Sequence, residues 1–255
     1  MTTGLATVIL PCAGVGQRLG LPFGKELLPL GPGSTPLGEM LALLLPHAAM
    51  LRLIVVLSPQ REATARHILS KAAPAGLPVA FTTQHPELAG FTGAVLSARP
   101  WLTQRNLVLL PDQLLSSSRR DLVPAALGAL DQAPFCFLAA REDDPARISR
   151  DGALSISGGS PARLLDYAEH PPLADAGRFN ATWFGFGLRR DQADEAVALM
   201  HRAATGGTIT SADVAASPLG GCPVIDTGPY RDLGTWPAVN AHWAEAAASS
   251  EEAQR

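Results

Sequence analysis

The chain has 255 residues, 47% of them hydrophobic, a formal net charge of −3 and three cysteines. That length suits one large α/β domain, and a weakly acidic chain without a basic run is not expected to bind nucleic acid. No Cys-x-x-Cys pair occurs, the apolar run at 40–45 is cut by Pro46, and residues 1–4 carry no basic leader, so a disulfide framework, a zinc site, a membrane span and a secretory signal are not expected. A cytoplasmic protein without membrane partners fits, and the sequence leaves open a homo-oligomer.

The first predicted strand is the apolar run at 7–10. It leads into Gly14, Gly16 and Gly20, with Arg18 among them and Lys25 shortly after. Glycine accepts positive φ and has no Cβ, so its backbone can approach an anion closely, and successive N–H groups form a nest for it. Two added cations make the stretch suited to a nucleoside triphosphate. The spacing Gly14-x-Gly16-x-x-x-Gly20 is neither the dinucleotide G-x-G-x-x-G nor the P-loop G-x-x-x-x-G-K-[ST], which argues against a dehydrogenase. Lysine occurs only as Lys25 and Lys71 in a chain otherwise rich in arginine. A compact, flexible point charge at Lys25 is a different tool from arginine's planar fork.

Further strands are predicted at 53–57, 79–82, 107–110 and 135–139, with helices between them at 37–49, 61–71, 92–99 and 122–130. This alternation implies a mixed, mostly parallel central sheet with helices on both faces. The second half changes character. Residues 152–157 and 163–167 alternate around Gly158-Gly159-Ser160-Pro161 and read as a hairpin. A strand follows at 180–188, a helix at 191–201 and a last helix at 236–248. The expected organisation is one domain over 1–248, with a nucleotide-binding half at about 1–140, a small β-rich acceptor-binding part at about 141–190, and a frayed tail at 249–255.

Asp112 directly follows the predicted strand at 107–110. Ligands of open α/β sheets bind beyond the carboxyl ends of strands, where an acidic residue can hold Mg²⁺ or simply cap a helix. Asp232, in Tyr230-Arg231-Asp232-Leu233-Gly234-Thr235-Trp236, is a second candidate carboxylate, with Asp226 a weaker rival and an N-cap role as the structural alternative. Gln84 offers both donor and acceptor, which suits the edge of a pyrimidine.

The string Ala13-Gly14-Val15-Gly16-Gln17-Arg18-Leu19, followed by Lys25-Glu26-Leu27-Leu28-Pro29-Leu30, resembles the A-G-x-G-x-R-L and P-K-x-L-L-P-L signature of sugar-1-phosphate nucleotidyltransferases. These are NDP-sugar pyrophosphorylases such as glucose-1-phosphate thymidylyltransferases and uridylyltransferases. Four more segments occur in the family's order, so the resemblance runs from Val8 to about Val239. Asp112 matches a metal-binding aspartate. Gln84 through Val95 resembles Q-x(n)-G-[TL]-x-x-A-V, in which the glutamine and a glycine, here Gly90, read the base. Glu169-His170-Pro171 matches E-K-P, and Asp232-Leu233-Gly234-Thr235 matches D-x-G-T, whose aspartate is the other metal ligand.

The resemblance implies a Rossmann-like, GT-A-like nucleotidyltransferase fold and an enzyme that transfers NMP from UTP or dTTP to a sugar 1-phosphate with Mg²⁺. It implies that Arg18 and Lys25 are catalytic, that Ala13, Gly14, Gly16, Gln84 and Gly90 bind the nucleotide, that Glu169, His170 and Asn180 bind the acceptor, and that Asp112 and Asp232 hold the metal. Departures are Gly24 where the family has proline, Trp236 after the D-x-G-T, Thr182-Trp183-Phe184 where the family has a G-x-Y strand, and His170 where it has lysine. The last puts the acceptor in doubt. His170 could meet the phosphate itself, or Arg163 or Arg178 could do so. A cytidylyltransferase with a non-sugar phosphate acceptor, or a non-catalytic sugar-nucleotide binder, are the alternatives. Leu110-Pro111-Asp112-Gln113 does not resemble the H-D-x-x-R-P of one such cytidylyltransferase group.

Overall fold

The computed structural model describes residues 4–14, 18–88, 90–117 and 119–252, with side chains to 248. Gly16, expected at the nucleotide, lies outside the described residues.

The chain begins with β1 (Ala6–Cys12), α1 (Pro36–Leu44), β2 (Leu51–Leu57), α2 (Glu62–Ala72) and β3 (Val79–Thr83). Next come α3 (Gly90–Ser97), β4 (Arg105–Leu109), the short β5 (Gln113–Leu115), α4 (Leu122–Gln132) and β6 (Phe135–Arg141). The second half holds α5 (Pro145–Ile148), β7 (Gly152–Ile156), β8 (Ala162–Glu169), β9 (Ala181–Arg189), α6 (Ala193–Ala204), α7 (Ser211–Ala216), β10 (Pro223–Asp226), β11 (Tyr230–Asp232) and α8 (Trp236–Glu252).

Nine strands form one sheet in the order β3-β2-β1-β4-β9-β6-β10-β8-β7, with β7 also pairing with β9. From the pairings, only β8 and β9 run against the common direction. The chain winds outward from β1 to β3, then returns through α3 to β4 on the other side of β1. The winding reverses between β1 and β4, and the crevice at the carboxyl ends of such strands is where open α/β sheets bind ligands.

Strand alternation sends side chains to two cores. Val8 and Leu10 join Leu53, Val55, Leu107 and Leu109 beneath α1, α2 and α4. Ile9 faces the other way, with Ile54, Val56 and Val108 beneath α3 and α6. Helices on both faces make the central strands continuously apolar, which is why they are legible from composition.

Element ends differ from expectation for local reasons. The helix predicted at 37–49 is α-helical only to Leu44, then tightens into a 3-10 segment, Leu45–Met50, because Pro46 removes a donor. Thr35 starts α1, its hydroxyl accepting from Gly38 N at 3.0 Å. The last helix extends to Glu252, four residues into the stretch expected to fray, since its alanine-rich sequence favours helix. The short elements β5, α5, α7, β10 and β11 were not expected. Among the described residues no helix is long and apolar enough to cross a membrane.

Candidate active site

Two carboxylates that are far apart in sequence meet through the separate ribbon of β5 and β11. Asp232 pairs in register with Gln113, and Leu233 N donates to the Asp112 carbonyl at 3.1 Å. Asp112 and Asp232 therefore sit side by side at the carboxyl end of β4. The turn after Asp232 needs its glycine. Gly234 N donates to Asp232 Oδ1 at 2.6 Å, and a Cβ on Gly234 would lie 2.9 Å from that oxygen. Asp226, the weaker rival, is exposed at the end of β10, where its carboxylate accepts from Gly228 N at 2.9 Å.

Lys25 reaches the same spot from the glycine-rich stretch, its Nζ paired with Asp112 Oδ2. Burial pulls the Lys25 ammonium down, but the Asp112 charge and hydrogen bond, with Asp232 and Glu26, outweigh it and raise its pKa. Asp232 is pushed up to about 6, first by burial and then by the neighbouring Asp112 charge, with Lys25 opposing. Two acids crowded together with one cation form a site that a further positive charge would complete.

Gly24, where the family has proline, is explained by its neighbour. Glu26 is 2% exposed, accepts from Thr64 Oγ1 at 2.7 Å, and lies where a Cβ on residue 24 would collide with its carboxylate. Burial raises the Glu26 pKa, and the Thr64 hydrogen bond opposes that rise. Below this turn Leu19, Leu28 and Leu30 pack with Leu114, Leu233 and Val239. One small core thus ties the lysine turn to both carboxylate strands. Trp236 adds to it by donating from Nε1 to the Leu19 carbonyl at 3.1 Å. Arg18 is exposed at the rim, Gly14 is exposed, and Ala13 is buried.

On the far side of β1, Gln84 Nε2 donates to the Leu88 carbonyl and, at 3.2 Å, to the Gly90 carbonyl. Gly90 has φ +73 at the start of α3, a conformation glycine takes without strain. Both hydrogen bonds engage the amide nitrogen of Gln84, and among the described residues its oxygen has no partner.

The third group lies at the end of β8. Glu169 Oε1 accepts from Tyr167 Oη at 2.5 Å and Trp183 Nε1 at 3.0 Å. Trp183 can lie there because Gly152 has no Cβ to strike its indole. Burial raises the Glu169 pKa against those two hydrogen bonds. His170 follows with an exposed side chain and φ +48, its N–H donating to the Asp151 carbonyl at 3.2 Å. The Asn180 amide bridges the Ile156 backbone at 2.8 and 3.0 Å, one hydrogen bond on its oxygen and one from its nitrogen, which fixes its orientation. Arg163 bonds the Gly221 carbonyl at 3.2 Å, and Arg178 pairs with Asp166 at 3.0 Å.

The sequence reading missed the link between these groups. Arg147 Nη1 lies 2.9 Å from Glu142 Oε2 and its Nε lies 3.7 Å from Asp151 Oδ2, while Nη2 donates to the Tyr230 carbonyl at 2.6 Å. Its guanidinium also covers the Tyr230 ring at 5.0 Å. Arg147 therefore ties the segment at 142–151 to β11, the strand that ends in Asp232. The only sequence sign of this was the dense charge at 141–151.

Neither protein-family models nor curated proteins give a match to the sequence. Solved structures do. A protein assigned as a glucose-1-phosphate thymidylyltransferase from Bacillus anthracis, in complex with sucrose, superposes with TM-score 0.71 at 17% identity, covering 95% of each chain. A UDP-glucose pyrophosphorylase complexed with UDP-glucose gives TM-score 0.71 at 14% identity, over 96% of this chain and 99% of that one. A UTP-bound UGPase from Acinetobacter baumannii gives 0.69 at 14% identity, over 95% and 93%. Across nearly its whole length, the chain has the fold of these nucleotidyltransferases.

Proposed function

We propose that this chain is an enzyme, a sugar-1-phosphate nucleotidyltransferase that transfers NMP from UTP or dTTP to a sugar 1-phosphate and releases pyrophosphate. The observation that carries the reading is the convergence of Lys25, Asp112 and Asp232 at the switch between β1 and β4. An oxygen of the acceptor phosphate attacks the α-phosphorus in line, and the bond to the bridging oxygen of pyrophosphate breaks. The acceptor is already an anion, so no general base is required. Catalysis comes from positioning and charge neutralisation. Arg18 and Lys25 neutralise the leaving pyrophosphate.

The donor set fits Mg²⁺. Among the described residues no group of three or more His, Cys, Asp and Glu could hold a metal, but Mg²⁺ is commonly held by one or two carboxylates with substrate phosphates and water completing its shell. Asp112 and Asp232 would be those carboxylates. A bound Mg²⁺ supplies charge neutralisation and alignment of the phosphate oxygens.

The orientation of Gln84 supports uracil or thymine. Its Oε1, without a partner among the described residues, accepts from the N3–H of those bases, whereas cytosine presents an acceptor at N3. The UTP and UDP-glucose bound to relatives of the same fold support the same choice. Glu169, fixed by Tyr167 and Trp183, is a ready acceptor for sugar hydroxyls, with His170 beside it.

The test is pyrophosphate release from UTP, dTTP, CTP, ATP and GTP, each with hexose 1-phosphates and with non-sugar phosphates, in Mg²⁺ and in EDTA. Metal-dependent release with UTP or dTTP and a hexose 1-phosphate is expected. Release with CTP and a non-sugar acceptor instead would establish the alternative acceptor class. No release from any pair would refute the reading.

A further inference from the structure

Arg61 stands at the start of α2, beyond the carboxyl end of β2 and next to the end of β1. Its Nη2 donates to the Gly14 carbonyl at 2.6 Å, and its Nε lies 3.3 Å from Ser58 Oγ. Both partners are neutral. Among the described residues no carboxylate forms an ion pair with Arg61, whereas Lys25 is paired with Asp112. Arg61 and Lys25 act together on the buried Cys12 thiol, where both oppose the rise caused by burial, Glu26 and Asp112. They therefore flank the same strand end.

The chain is strained to bring Arg61 there. Gln60 has φ +70, a left-handed conformation uncommon for a residue other than glycine. Such strain persists where surrounding structure fixes it and clusters at ligand clamps. One turn later, Thr64 of the same helix holds buried Glu26, the residue after Lys25. The first turn of α2 thus grips the glycine-rich stretch at Gly14 and the lysine turn at Glu26. A carbonyl facing a nucleotide would repel its phosphates. Arg61 holds the Gly14 carbonyl and brings beside it a charge that has no ion-pair partner among the described residues.

We infer that Arg61 is a third cation of the triphosphate site, one that also positions Gly14 for the NTP. This rests on the nucleotidyl-transfer reading. A guanidinium can keep one N–H on the carbonyl and offer others to a phosphate, which an ammonium does with poorer geometry.

The experiment measures steady-state kinetics and NTP affinity, with UTP and dTTP as probes, for wild type, Arg61→Ala and Arg61→Lys. Arg61→Ala is expected to raise the Kd and KM for the NTP by about 10- to 100-fold, the range for losing a hydrogen bond to a charged group. The acceptor KM should stay within about 2-fold, and the NTP penalty should shrink at high salt as the charge term is screened. Arg61→Lys should fall between, because it keeps charge and loses the fork. An active wild type with unchanged NTP affinity in Arg61→Ala overturns this inference alone. NTP and acceptor KM rising together would also overturn it, since that marks a general loosening. A wild type that binds no NTP and releases no pyrophosphate overturns the transfer reading and this inference with it. If Arg61→Ala does not fold, Arg61→Lys decides: wild-type NTP affinity at low and high salt together with a wild-type melting temperature would show that charge alone suffices and refute the positioning role.

Discussion

Asp232→Asn separates a site built for chemistry from one built for stability. In the metal-free protein the Asp232 carboxyl is raised from 3.8 to about 6 by burial and the Asp112 charge. The folded state then binds its proton more tightly than the unfolded state does. The associated cost is absent below about pH 3.8 and complete above about pH 6. That rise corresponds to at most about 3 kcal/mol at neutral pH. Asp232 is partly exposed, and solvent screening leaves about 1–2 kcal/mol of that cost. Asparagine keeps the oxygen that accepts from Gly234 N and removes the charge. In EDTA at pH 7.5 the variant should therefore be the more stable protein, with a higher urea midpoint and an unchanged m-value. The gain should fade toward pH 4. In Mg²⁺ the order should narrow or reverse, since metal binding stabilises the form that holds it. Pyrophosphate release should fall by about 100-fold or more. A variant less stable than wild type in EDTA at pH 7.5, or one that turns over normally in Mg²⁺, would refute the reasoning.

Four other substitutions probe separate parts of the site. Gly24→Ala forces a methyl group into the Glu26 carboxylate, which cannot swing aside because Glu26 is buried and tied to Thr64. A loss of about 1–3 kcal/mol in denaturant unfolding is expected, and an unchanged midpoint would contradict the packing argument. Arg18→Ala should lower turnover by about 10- to 100-fold without moving the melting temperature, because Arg18 is exposed. Lys25→Ala should lower both, since it leaves Asp112 beside Asp232 without their cation, and a stable, active Lys25→Ala would remove lysine from the mechanism. His170→Lys places a longer, cationic side chain beside Glu169 and should lower the KM for an anionic acceptor. An unchanged acceptor KM would mean that residue 170 does not touch the acceptor.

The resemblance of residues 13–30 to a nucleotidyltransferase signature named Arg18 and Lys25 and described a fold that the structural neighbours share. Apolar runs bounded by turns were enough for the strands on both sides of β1, because strands covered on both faces need apolar residues at nearly every position. What failed was short structure. The strands β5 and β11 have three residues each, too few to carry a period, yet they bring Asp112 and Asp232 together. The hold of the Ile156 backbone on Asn180, and the bridge that Arg147 makes between Glu142, Asp151 and Tyr230, have no local sequence sign.

By itself, then, the sequence determined the local chemistry: glycines and cations after the first strand, an acid after the fourth, a glutamine whose amide suits a base. Hydrophobic periodicity and glycine's freedom act over a few residues, so a chain read in order reveals them. Only the tertiary structure decided which of these groups meet. The reversal of winding between β1 and β4, the register of Asp232 opposite Gln113, and the grip of α2 on Gly14 and Glu26 all join residues distant in sequence. Such pairings are chosen by the packing of two cores and one small leucine cluster, a global fit that no single stretch of sequence encodes.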